Sequence, residues 1–163
     1  MSPSFGVVSL ALLVLAACGG GTTPSGTNEG DESQKMDAAA VANDLKGSIE
    51  KVTEVRVVTE ENDPNDLLGR PNGYTSAAVL VDSRIELPCD KKEPSADCGA
   101  TVEVWKSEED AKRRSDYIQT IQKEASILGS EYNYLDGPVL LRVTGELTPT
   151  VAKKYEAAFK DLD

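Results

Sequence analysis

Apolar residues recur at two different spacings along this chain, and the change of spacing divides it into elements. In Met36–Val52 the positions Ala38, Val41, Ala42, Leu45, Ile49 and Val52 step by three and four, the stripe of an amphipathic helix. Gly47 lies inside it and weakens it by about 1 kcal/mol relative to alanine. From Glu54 to Thr59 the step becomes two, with Val55 and Val57 alternating against charges, which predicts a half-buried strand. Thr75–Asp82 is apolar at Ala77, Ala78, Val79, Leu80 and Val81, so both its faces are covered and it belongs inside a sheet. Ile85 and Leu87 extend that strand or continue it past a bulge. Thr101–Trp105 alternates again, with Val102 and Val104 on one face.

Ser107 then caps a helix whose apolar face is Ala111, Ile118, Ile121, Ala125 and Leu128, and Gly129 ends it. Glu108, Glu109 and Asp110 suit its dipole and pair in the favourable order with Lys112, Arg113 and Arg114. Glu131–Leu135 sets Tyr132 and Tyr134 against Asn133 and Leu135, Asp136-Gly137 signals a hairpin, and Val139–Thr144 is a further strand. Thr148-Pro149 opens a last helix with the stripe Val151, Tyr155, Ala158, Phe159 and Leu162.

This order predicts an α+β fold. It is a two-layer sandwich, with a mostly antiparallel sheet of four to five strands carrying helices on one face. The strand–helix–strand unit around Ser107–Leu128 is the place for one parallel pair. Glu60–Tyr74 is the longest irregular stretch. Asp63-Pro64 can start a single helical turn there, and Pro71-Asn72-Gly73 is a turn signal.

The N-terminus follows neither period. Phe5–Ala17 is almost wholly apolar, and no charged side chain precedes Glu29. The run is shorter than the ~20 residues of a spanning helix and fits a signal h-region. It closes on Leu15-Ala16-Ala17-Cys18, which resembles the lipobox of bacterial lipoproteins. That resemblance implies cleavage before Cys18, a lipid thioether on its sulfur, and residence at the cell membrane on the extracytoplasmic face. Met1–Ser4 departs from the pattern by lacking the Lys or Arg of an n-region. The expected organisation is a signal peptide over 1–17, the lipidated cysteine and a Gly/Ser/Thr/acidic tether over 18–35, and one α+β domain over 36–163. A flexible tether of this length has a root-mean-square span of about 23 Å.

Composition narrows the chemistry. The chain has 163 residues and a formal net charge of −11, which argues against nucleic-acid partners and anionic headgroups. With Cys18 assigned to lipid, Cys89 and Cys98 remain as an even pair outside the cytosol and predict a disulfide closing a short loop. Histidine is absent, and C-x₈-C is not a zinc spacing. No phosphate loop or dinucleotide fingerprint appears, so no cofactor is expected. Asn62, Asp63, Asn65 and Asp66 cluster oxygens, but Leu67 interrupts the calcium-loop pattern, and turn roles explain them. No nucleophile stands with a recognisable base, and an enzyme is not expected.

Binding is the remaining class. Arg70, Asn72 and Tyr74 in the long loop form the candidate recognition surface, against the plainer account in which the loop only turns and Tyr74 packs on the sheet. Trp105, Tyr132 and Tyr134 are either an aromatic patch or half-buried packing residues. Asp66–Ser76 and Val102–Ala111 together resemble small lipoproteins of high-GC Gram-positive bacteria. The resemblance covers roughly Asp66–Lys160 and implies localisation without chemistry. The function expected is therefore a membrane-anchored, non-catalytic interaction module with an envelope protein partner. The alternative is a small-ligand binding or sensing lipoprotein, and an enzyme or hydrolase inhibitor comes third.

Overall fold

The computed structural model describes residues 36–125 and 129–162. Cys18, the tether and Leu128 lie outside them. The elements are α1 (Ala38–Ser48), β1 (Val52–Val57), β2 (Ser76–Asp82), β3 (Gly99–Val104), α2 (Glu108–Glu124), β4 (Glu131–Asp136), β5 (Val139–Thr144) and α3 (Pro149–Lys160). Among the described residues the strands form one five-stranded sheet in the order β1-β2-β3-β5-β4. Every neighbouring pair is antiparallel. The fold is α+β, as the two periodicities predict.

The expected parallel pair does not form. β4 runs in the direction of β3, but β5 lies between them and pairs with both. Burial decides this order. β5 is covered at Val139, Leu140, Leu141 and Val143, so it belongs inside the sheet, whereas β4 is only half-buried and takes the edge. The reversal is local, at Asp136-Gly137, where Gly137 adopts φ +49°.

Alternation sorts β3 and β5 onto two faces. Ala100, Val102, Val104, Val139, Leu141 and Val143 look one way and pack under α1 and α3 through Ala38, Ala42, Leu45, Tyr155 and Phe159. The helices α1 and α3 thus share a face, but the three helices are not all on one face as expected. α2 lies against the other face, where Ala111 packs with Ala77, Val79, Leu140, Tyr74 and Trp105. The long loop and the disulfide loop join it there through Leu67, Leu68 and Cys98.

Two boundaries differ from the periodic pattern. α1 ends at Ser48, just past Gly47, and Ile49 is extended while its N–H still bonds Leu45 O. Ile49 and Val52 nevertheless enter the same core, from a turn and a strand. β2 ends at Asp82, because the Asp82 carbonyl and carboxylate capture the N–H groups of Ile85 and Arg84 and start a turn. Ile85 and Leu87 therefore do not extend it.

Candidate functional site

The second face of the sheet carries charge where the first carries hydrocarbon. Glu103 on β3, Arg142 on β5 and Glu131 on β4 all fall on it by alternation. Arg142 grips Glu131 with two hydrogen bonds, Nε to Oε2 at 2.8 Å and Nη2 to Oε1 at 2.7 Å. Its Nη1 donates to Glu103 Oε1 at 2.7 Å. The Glu103 side chain is 0% exposed and that of Arg142 11%. Burial by itself would lower the Arg142 pKa, but Glu103 and Glu131 outweigh it and raise it further, so the guanidinium stays charged. One cation thus holds two carboxylates, one buried and one partly so.

Over this network α2 lays one continuous helical stripe. Asp110, Arg113, Arg114, Tyr117, Ile118, Ile121 and Gln122 recur at steps of three and four and line a cleft of about 670 Å³. Asn65, Leu67 and Asn72 of the long loop, with Trp105, line the remainder, and Glu131 and Arg142 complete it. Arg114 reaches across: Nη2 donates to Asn65 Oδ1 at 2.9 Å, and Nε lies 3.6 Å from Glu103 Oε2.

The satisfaction of polar groups differs sharply between the faces. On the first face buried Asp82 is fully engaged: Tyr155 Oη donates to it at 2.7 Å and Arg84 Nε at 2.8 Å. On the second, Thr101 Oγ1, Glu103 Oε2, Trp105 Nε1, Arg114 Nε and both amide atoms of Asn133 have no hydrogen-bond partner within the protein. Among the described residues, every buried side-chain polar atom left in that state belongs to this face. Such atoms are rare in folded proteins, and each calls for a partner that the protein itself does not supply.

The long loop is built from its own acid. Asp63 accepts the N–H groups of Asn65, Leu67 and Leu68 at 2.8–2.9 Å, and the Tyr74 hydroxyl donates to it. These bonds form turns in place of the helical turn expected at Asp63-Pro64. Gly73 sits so close to the loop's start that a Cβ there would collide with the Leu67 carbonyl. Burial acts to raise the Asp63 pKa, but the Tyr74 hydroxyl and the three N–H groups outweigh it and hold the carboxyl below the usual range. Tyr74 is raised, by burial first and by Asp63 second.

The structure separates the three candidate recognition residues. Tyr74 is 1% exposed and stands edge-on to Trp105, ring centroids 5.6 Å apart, so it is a packing residue. Asn72, at φ +64°, lines the cleft. Arg70 is exposed, pairs with Asp66 and borders a separate 240 Å³ hollow. Trp105 shares no patch with Tyr132 and Tyr134, which pack on the opposite face. Of the predicted helix pairs none forms. Lys112 binds Asp116, Arg113 binds Asp110, and Arg114 turns inward.

Cys89 and Cys98 form the expected disulfide, Cα atoms 4.8 Å apart. Arg56 Nη1 ties its loop to β1 by donating to the Cys89 carbonyl at 3.3 Å. Among the described residues no three His, Cys, Asp or Glu side chains gather as a metal site. Nor is any helix there long and apolar enough to cross a membrane.

Arg142 and Trp105 line the cleft and Glu103 lies behind it; neither charge stands out in the sequence as a site residue, and Trp105 enters there only as part of a possible aromatic patch. The available signal was a charge inside each of two apolar strands, Val102-Glu103-Val104 and Leu141-Arg142-Val143. No protein-family model, curated protein or solved structure matches the chain.

Proposed function

We propose that this chain is a lipid-anchored extracytoplasmic protein that binds a small ligand in the cleft between α2 and the second face of the sheet. The carrying observation is that two cleft-lining residues, Trp105 and Arg114, each keep a buried donor without an acceptor, Nε1 and Nε. A volume of about 670 Å³ lies within the usual range of ligand sites, roughly 300–1,000 Å³. Apolar walls with a few fixed polar groups are what such sites use for affinity and orientation. The lipobox at Leu15–Cys18 supports the anchor.

A protein-interaction module, favoured by the sequence alone, would be supported by a contiguous apolar face. Among the described residues the exposed large apolar side chains, Met36, Val57, Leu87, Tyr117 and Leu135, come one each from five segments. That weighs toward the ligand. The test is native mass spectrometry and thermal-shift screening of the full lipidated chain in mild detergent. A bound small molecule that Ile121→Trp excludes by filling the cleft is the expected result. No ligand, together with one envelope protein crosslinked stoichiometrically through the α2 face, would overturn it. Cys18→Ala should release the chain from membranes; a variant still sedimenting with them in high salt would defeat the anchor.

A further inference from the structure

We infer that the cleft selects a ligand with a carboxylate on an apolar body, and that Arg114 receives the carboxylate. This rests on the ligand-binding reading above and specifies its chemistry. Three guanidiniums line the cleft, and two are committed. Arg142 makes three hydrogen bonds to Glu131 and Glu103, and Arg113 binds Asp110. Arg114 makes a single hydrogen bond, to the neutral amide of Asn65. Its Nε–H has no acceptor although the side chain is only 11% exposed. The nearest carboxylate oxygen, Glu103 Oε2, lies 3.6 Å from it, an ion-pair separation too long for a hydrogen bond, while the other oxygen of Glu103 accepts from Arg142, so Arg114 is the least engaged of the three.

A planar guanidinium with free donors matches a carboxylate's two oxygens, a pairing stronger than one between neutral groups. The second donor without an acceptor in the cleft wall is Trp105 Nε1, itself 5% exposed. Two unmet donors call for a ligand rich in acceptors. Leu67, Ile118 and Ile121, beside the Trp105 ring, supply the apolar walls for the ligand body. A bare inorganic anion would leave those walls uncovered.

The test uses three matched probes on the full chain in detergent micelles: 1-naphthaleneacetate, its neutral amide and the corresponding naphthylethylamine. Binding is followed by calorimetry against a micelle blank and by the indole N–H resonance, which is unique because Trp105 is the chain's one tryptophan. The acid is expected to bind at least about tenfold more tightly than the amide, the scale of one charge-assisted pair. Its binding should move the indole signal. Arg114→Gln should reduce the preference to about twofold or less, and Arg70→Gln, a guanidinium outside the cleft, should leave it unchanged. If Arg114→Gln fails to fold, Arg114→Lys replaces it, and the preference should then fall severalfold because an ammonium is a point donor.

Equal binding of acid and amide overturns the inference and leaves the ligand-binding reading standing. So does an acid preference that survives the Arg114 variants. Binding of none of the three probes also overturns the inference, and the ligand-binding reading then stands or falls on the screening test above.

Discussion

One sheet serves two unlike faces. Under α1 and α3 the packing is hydrocarbon, and its one buried acid, Asp82, is fully bonded. Under α2 the same strands present Glu103, Arg142, Thr101 and Asn133, with buried atoms left unpartnered beside an open cleft. Leu141 and Arg142 are consecutive in β5 and belong to the different faces. The first face closes its buried acid completely, and the second packs a smaller apolar cluster beside polar atoms left without partners. The partition follows from strand alternation alone, since a single strand must supply both.

The comparison breaks most visibly at Arg142. Arg142→Met leaves buried Glu103 and partly buried Glu131 without their cation, and should cost about 3–5 kcal/mol in a urea titration. Its neighbour, Leu141→Ala, opens a cavity in the dry face and should cost about 3 kcal/mol. A much smaller loss for Arg142 than for Leu141 would mean that the charged network is not holding the second face. Next comes the staple. Cys89→Ser with Cys98→Ser frees a short loop packed on the second face and should lower stability by about 2.5 kcal/mol. Cleft binding should weaken with it, whereas Leu141→Ala should leave affinity intact in the folded fraction.

A subtler probe is acid. Burial opposes ionisation of Asp82, but Arg84 and the Tyr155 hydroxyl outweigh it and hold its carboxyl below the usual range, as happens at Asp63. A carboxyl depressed in the folded state stabilises above its unfolded value near 3.9, and that contribution is lost as pH falls through the folded value. Stability should therefore decline below about pH 4. Asp82→Asn and Asp63→Asn should each flatten that decline, and an unchanged acid slope would show that the carboxyl in question is not depressed. The smallest effect is expected at Arg70→Ala, an exposed ion pair to Asp66 worth no more than about 0.5 kcal/mol. A large loss of melting temperature there would give the loop a structural weight that its exposure denies.

What the sequence reveals divides along the same line. The first face is an affair of periodicity, so β5, the Pro149 helix start and the α1 stripe were all legible, even where Ile49 and Val52 leave the helix and still reach the core. The second face depends on pairing across distance. Arg142 meets Glu103 only because β5 turns back between β3 and β4, and that follows from relative burial of whole strands. Arg114 was read with Asp110 as a solvated surface pair. It instead faces inward, since a helical position is shared between solvent and core according to which side the sheet occupies. Tyr74 was visible as an aromatic in a loop, but its burial comes from Asp63, which ties the loop down over it.

The insertion of β5 also sets an order of assembly. As a chain lengthens from its N-terminus, β1, β2 and β3 can zip into a meander of near neighbours. β3 then stands as an open edge until the strand carrying Arg142, 39 residues beyond Glu103, arrives to close it. The lid over the hydrocarbon face, α3, comes later still. Folding must wait for its last third, the slow regime of non-local pairing. A chain shortened by its final helix would keep the meander and the hairpin yet leave Leu141 and Val143 uncovered, a surface primed to clump.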